Sequence, residues 1–247
     1  MTSAKHRKNS SFRRHALQEI KVLTDQLQFP EGPVALLDGS VLVVEIKRGT
    51  LSRVSPNGQI DIVADLGGGP NGAAIGPDGH CYICNNGGFN WHTSSSGLVF
   101  PGQQADNYRG GRIERVNLNS GEVEVVYDSC AGLSLKGPND LVFDRQGGFW
   151  FTDHGKVRDR ERDRTGVYYA SIDGLSIEEV IFPLEAPNGI GLSPDEQTLY
   201  VAETPTGRLW AYSLAGPGRI DARLRPKMMA QLPDYHMFDS LAVDALG

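Results

Sequence analysis

Cysteine is scarce: three in 247 residues. That number is too low and too odd for a disulfide framework, so free thiols and a reducing, cytoplasmic setting are expected. No apolar run reaches the roughly 18 residues of a membrane-spanning helix, so no membrane contact is expected. Positive charge is in deficit: 24 Lys and Arg stand against 30 Asp and Glu, a net charge of −6 with pI near 5.5. A nucleic-acid partner would want a basic face, and none is expected. Met1 to Arg14 are basic and polar but lack the apolar h-region of a secretory signal. Residues 1–19 are therefore expected to be a disordered tail. No G-x-S-x-G elbow occurs, which argues against a serine esterase.

Two motifs are present in letter only. Gly67-Gly68-Gly69-Pro70-Asn71-Gly72 matches G-x-G-x-x-G. A dinucleotide fingerprint needs a strand before it and a helix after it, whereas Pro70 interrupts this one and a turn follows within a few residues. Cys81-Tyr82-Ile83-Cys84 matches C-x-x-C, but it follows an Asp-Gly turn and reads as strand. Residues three apart on a strand face opposite sides, so these are expected to be structural cysteines. No second C-x-x-C exists to complete a zinc ribbon.

Glycine and proline are abundant, 30 and 14, and they punctuate a repeat. Ala186-Pro187-Asn188-Gly189 leads through an apolar run to Pro194-Asp195 and the β-rich Leu199–Glu203. Pro70-Asn71-Gly72 leads likewise to Pro77-Asp78-Gly79 and Cys81–Cys84. Pro138-Asn139-Asp140 leads to Asp144–Gly147 and Phe149–Asp153. Pro30-Glu31-Gly32-Pro33 leads to Leu37-Asp38-Gly39 and Val41–Glu45. Phe238-Asp239-Ser240 leads through Leu241–Asp244 to Gly247. Five copies at a period of roughly 40 to 70 residues predict a radial array of similar sheets, an all-β propeller occupying residues 20–247. Ile20–Leu23 reads as a strand that closes the ring. The long stretch Asn85–Gly111 reads as a loop inserted in the second module, with Asn86, Phe89, Trp91 and His92 as candidates for a pocket mouth. The alternating charges of Arg158–Arg164 read as a solvated loop. The fifth copy holds one strand, so the last blade reads as incomplete.

The opening residue of each module carries a side-chain oxygen: Glu31, Asn71, Asn139, Asn188 and Asp239. Asn beside Gly is by itself a turn signal. Two of the five positions are acidic, and a turn needs no Glu or Asp. In a propeller, equivalent positions ring one central channel. Two carboxylates and several amide oxygens converging there would suit a hard cation such as Ca²⁺, Mg²⁺ or Mn²⁺. Without a cation the carboxylates would repel and one would take up a proton.

Phe29-Pro30-Glu31-Gly32-Pro33, Gly137-Pro138-Asn139-Asp140, Pro187-Asn188-Gly189-Ile190 and Asp239–Asp244 together resemble the gluconolactonase and senescence-marker-protein (regucalcin) family of six-bladed β-propellers. The resemblance implies one divalent metal at the channel mouth, Ca²⁺ first among Ca, Mg, Mn and Zn. It implies Glu31, Asn139, Asn188 and Asp239 as ligands, with Asp239 also the general base, and a sugar lactone or related ester as substrate. Ser240 stands where many gluconolactonases have Gly. Asn71, Asn86, His154 and Glu203 are candidate substrate contacts. The alternative is a non-enzymatic propeller scaffold whose channel metal only holds the blades together.

Overall fold

The computed structural model describes residues 20–247, and no helix occurs among the described residues; the expected tail at 1–19 lies outside them. Each of the first four repeats folds into one antiparallel sheet. The first contains β1 (Pro30–Ala35), β2 (Val41–Glu45), β3 (Thr50–Val54) and β4 (Ile60–Asp65), paired in that order. The second starts with β5 (Pro70–Ile75) and β6 (Cys81–Asn85). The chain then leaves it for a separate hairpin, β7 (Phe89–Thr93) and β8 (Val99–Gln104), and returns as β9 (Arg112–Val116) and β10 (Val123–Tyr127). A short ladder, β11 (Ser129–Cys130) and β12 (Leu133–Ser134), leads to the third sheet: β13 (Pro138–Phe143), β14 (Phe149–Asp153), β15 (Thr165–Ala170) and β16 (Ile177–Leu184). The fourth is β17 (Pro187–Leu192), β18 (Thr198–Glu203) and β19 (Arg208–Gly216). The strand β19 pairs with both short β20 (Arg219–Ile220) and β21 (Lys227–Gln231).

The first strands of successive sheets pack on one another, β1 on β5, β5 on β13 and β13 on β17. This is the radial stacking of a propeller. The core lies between sheets, which is why the second strands are apolar on both faces rather than alternating. Cys81 and Ile83 of β6 face the first sheet with Leu42, Val44 and Leu51. Tyr82 and Cys84 face the third with Phe149 and Phe151. Trp150 faces the fourth with Ile190, Leu199 and Val201. The two cysteines of the C-x-x-C thus serve opposite cores as free thiols, and burial pushes Cys81 up to about 12. Gly67–Gly72 runs straight into β5, with no helix after it.

Three expectations change. Ile20–Leu23 forms no strand. Ile20 and Val22 are exposed, Lys21 donates to the Pro56 carbonyl at 3.1 Å, and the Leu23 backbone seats on Gly58, so the segment lies against a turn rather than on a sheet edge. Residues 239–244 also form no strand. They lie alongside β17, where Gly189 N–H donates to the Asp239 carbonyl at 3.2 Å, and no second strand pairs with them among the described residues. Asn85–Gly111 is not a structureless loop, because it holds the β7–β8 hairpin, turned at Ser94–Gly97. In the charge run, Asp159–Arg162 are exposed as expected, while Arg158 pairs with Asp163 at 2.6 Å. No helix among the described residues is long and apolar enough to cross a membrane.

Candidate functional site

The same local device recurs in all four sheets. The opening proline pairs with the last residue of the second strand: Pro30 with Glu45, Pro70 with Asn85, Pro138 with Asp153, Pro187 with Glu203. The register then slips, and regular pairing resumes at Val34, Ala73, Leu141 and Ile190. A β-bulge takes residues out of the ladder and re-aims their side chains. Asn71, Asn139 and Asn188, each following its proline, sit in that bulge, and Glu31 is the last paired residue before it, opposite Val44. All four line one cavity of about 280 Å³, together with Asp239, His154, Thr204, Phe29, Ile46 and Phe89.

Glycine lets the bulges approach. A Cβ on Gly72 would lie 2.5 Å from the Asn139 carbonyl oxygen, and one on Gly189 would lie 2.5 Å from the Leu241 nitrogen. The Asn-Gly pairs therefore mark close strand contacts rather than tight turns. In the third sheet the position is Asp140. Its carboxylate accepts from Leu141 N–H at 2.9 Å and, across the sheet boundary, from Ile190 N–H at 3.3 Å.

Behind the cavity, the buried polar residue ending each second strand holds the chain that leads into the proline. Glu45 accepts from Gln28 N–H at 2.6 Å and Asn85 from Gly69 N–H at 2.9 Å. Asp153 accepts from Lys136 and Gly137 N–H, both at 2.7 Å, and Glu203 from Glu185 N–H at 2.7 Å. The next residue along is tied to the same lead-in: Ile46, Asn86, His154 and Thr204 N–H donate to the carbonyls of Phe29, Gly69, Gly137 and Ala186. Ile46, His154 and Thr204 line the cavity.

The structure thus brings together Glu31, Asn71, Asn139, His154, Asn188 and Asp239, and places two of the candidate substrate contacts elsewhere. Glu203 is buried, and its second oxygen accepts from Trp210 Nε1 at 2.8 Å and Thr206 Oγ1 at 3.0 Å, so it has no face toward the cavity. The Asn86 amide oxygen is turned onto Gly88 N–H at 2.8 Å and Lys156 Nζ at 3.2 Å. Of the aromatic candidates in the insertion, Phe89 lines the cavity, Trp91 packs on Phe29 at 5.0 Å and His92 is exposed. Sequence reasoning missed Thr204 and Ile46. Their signal was available: each follows the residue that ends its second strand, the position that made His154 a candidate.

The electrostatics concentrate on the carboxylates. Burial, then the charges of Asp239 and Asp140, push Glu31 up to about 7. Burial, helped by Asp239, pushes Asp140 up to about 6 against the pull of its two backbone donors. Burial and the charges of Arg162 and Lys156 push His154 down to about 4, so its ring is neutral at neutral pH. Three buried polar atoms at the cavity, Asn188 Oδ1, His154 Nδ1 and Thr204 Oγ1, have no protein partner. Among the described residues no three His, Cys, Asp or Glu side chains form a metal cage. A cation at this cavity would therefore draw on amide oxygens as well as on Glu31 and Asp239. The orphaned Asn188 oxygen and the crowded carboxylates fit a hard, oxygen-seeking ion.

Residues 29–247 match the family described as SMP-30/Gluconolactonase/LRE-like region. The chain belongs to this family. Among curated proteins, this family member is 28% identical to the gluconolactonase of Zymomonas mobilis, over 81% of the chain and 56% of that relative. It spans about half the length of the curated relatives it matches. Among solved structures it superposes on a gluconolactonase from Xanthomonas campestris with TM-score 0.69 at 26% identity, covering 90% of this chain and 69% of that one. It also shares its fold with regucalcin of Agrobacterium tumefaciens, a calcium-binding protein: TM-score 0.61, 18% identity, 84% and 61% coverage.

Proposed function

We propose that this chain is a divalent-metal-dependent hydrolase that opens a sugar lactone or related ester. The observation that carries the reading is the convergence of Glu31, Asn139, Asn188 and Asp239 on one cavity, each aimed there by its place beside β17 or at a first-strand bulge. Those four side chains would hold the ion. The all-oxygen set favours Ca²⁺ over the softer Zn²⁺, and the fold neighbour from Agrobacterium is a calcium-binding protein. When bound, the cation supplies Lewis acidity toward the lactone carbonyl. Asp239 takes the proton of the attacking water. Neutral His154, with Thr204 and Asn71, offers hydrogen bonds to substrate oxygens within the same cavity. The named activity of the relatives, gluconolactonase, supports the reaction class.

We place this site on a six-bladed ring. The four sheets of this chain would supply four of its blades. The test is hydrolysis of a panel of sugar lactones with a pH indicator, after chelation and re-addition of Ca²⁺, Mg²⁺, Mn²⁺ or Zn²⁺. Turnover restored by metal is expected. Melting that depends on metal with no turnover of any lactone would instead point to a scaffold with a structural ion.

A further inference from the structure

Three of the four equivalent positions after the second strands, Ile46, His154 and Thr204, line the cavity. The fourth, Asn86, does not, and the reason is a buried lysine. Lys156 is 1% exposed. Its Nζ donates to the Gly88 carbonyl at 2.7 Å and to Asn86 Oδ1 at 3.2 Å, and it stands 3.9 Å from the centre of the Phe89 ring. The ring of Tyr108 lies 5.6 Å away on another side. Lys156 makes no ion pair among the described residues; the nearby Asp163 is taken by Arg158. An ammonium without a counter-ion is costly to bury, and a stack over an aromatic face returns part of that cost.

The groups that Lys156 holds are those that shape the cavity. Phe89, at the start of β7, lines it, as do Gly155 and Val157 on either side of Lys156, and Pro101 and Gly102 of β8. The hairpin also reaches both neighbouring sheets: Trp91 packs on Phe29 at 5.0 Å, and Gln104 N–H donates to the Val157 carbonyl at 3.0 Å. The polar side chains of the lining come from the first strands, from Asp239 and from two of the positions after the second strands, His154 and Thr204. The hairpin side is apolar.

We propose that Lys156 is a positioning residue: by holding Asn86, Gly88 and Phe89 it fixes the β7–β8 hairpin as the apolar wall of the cavity, and this wall selects the size of the non-reacting part of the substrate. The inference rests on the lactonase reading for its substrate, but the lock on the hairpin stands without it. Lys156→Met suits the test because it keeps the bulk and leaves no orphan. Gly88 O still accepts from Ala105 N–H at 3.3 Å, and Asn86 Oδ1 still accepts from Gly88 N–H.

With a lactone too small to reach the hairpin, K156M keeps wild-type kcat and KM. With a lactone bearing a phenyl or long alkyl substituent, KM rises about tenfold while kcat stays within about twofold, the signature of lost uniform binding. Equal effects on both substrates, a fall in kcat alone, or no effect would each overturn the selective wall. A second readout needs no turnover. Acrylamide quenching of tryptophan fluorescence in K156M should rise through Trp91, since Trp150 is fully buried and Trp210 lies in the fourth sheet. Unchanged quenching overturns the lock itself. Increased quenching in a protein that hydrolyses no lactone would sustain the lock and sink only the proposed reaction.

Discussion

Asp153→Asn isolates what the buried anchors contribute. Asp153 is fully buried at the end of β14. One oxygen accepts from Gly137 N–H at 2.7 Å and Gly155 N–H at 2.8 Å, the other from Lys136 N–H at 2.7 Å. Asparagine has one oxygen. Its better orientation keeps Gly137 and Gly155 and turns an NH₂ group toward Lys136 N–H, leaving a donor facing a donor. A buried donor left unpaired costs about 1–3 kcal/mol, and losing the charge-assisted character of the other two bonds adds to it. Working the other way, burial raises the pKa of Asp153, so removing the charge removes a desolvation cost. Three short bonds at one carboxylate indicate that bonding wins, and the net destabilisation should be ~2 kcal/mol, or about 4–8 °C for a chain of this size. Urea unfolding followed by circular dichroism, with metal present and chelated, measures it. A loss under about 0.5 kcal/mol, or a gain, would show that desolvation dominates and refute the anchor argument. Because Lys136 and Gly137 lead directly into Pro138 and Asn139, D153N should also weaken metal binding, although Asp153 lies outside the cavity.

The other predictions concern the cavity directly. Asp239→Asn should abolish lactone hydrolysis while leaving the circular dichroism spectrum unchanged; retained turnover would remove Asp239 from the reaction. Glu31, held up at about 7 against an ordinary 4.5, contributes stability to the metal-free fold at low pH that is lost as pH rises through about 7. The chelated protein should therefore melt lower at pH 8 than at pH 6, and added Ca²⁺ should reverse that; a flat profile would contradict the crowding of carboxylates. Gly189→Ala places a Cβ 2.5 Å from the Leu241 nitrogen, and should cost about 1–3 kcal/mol in urea unfolding, as overpacking does. Asp140→Asn should stabilise the metal-free protein more at pH 8 than at pH 5. The rise of Asp140 from 3.8 to about 6 is worth roughly 3 kcal/mol at most, and it is felt only where the carboxylate is charged. Equal effects at the two pH values would show that Asp140 is not strained by its burial.

The repeat made much of this legible. Successive Pro-Asn-Gly, Pro-Asn-Asp and Pro-Glu-Gly openings placed Glu31, Asn71, Asn139 and Asn188 at equivalent positions, and equivalence in a radial array means convergence. What the repeat did not carry was direction. Asn71-Gly72 looks like a turn because Asn and Gly favour turns; here the glycine is needed because the Asn139 backbone passes within reach of any Cβ. Glu203 looked like a cavity residue because it ends a strand beside one. Pairing with Pro187 faces it backward onto Glu185 N–H and Trp210, and strand alternation hands the cavity to Thr204. Ile20–Leu23 failed for a different reason: a short β-like segment makes a strand only where a partner edge exists, and tertiary context decides that.

Asp140 shows how a departure from the repeat can say more than the repeat. At its position the other sheets have Gly32, Gly72 and Gly189, chosen for close approach. A carboxylate there must be accommodated, and the structure does so by giving it the Ile190 N–H of the next sheet. It therefore joins third sheet to fourth through a bond that the glycines cannot make. It also places a third negative charge near Glu31 and Asp239, which is part of why Glu31 is held protonated so far above its ordinary range. Cohesion between sheets and the negative field at the proposed cation site thus share one residue. A glycine, copying the other sheets, removes the acceptor for Ile190 N–H and should loosen both the joint and the ion, whereas an asparagine, which keeps an acceptor oxygen, should weaken the ion while relieving the crowded charge.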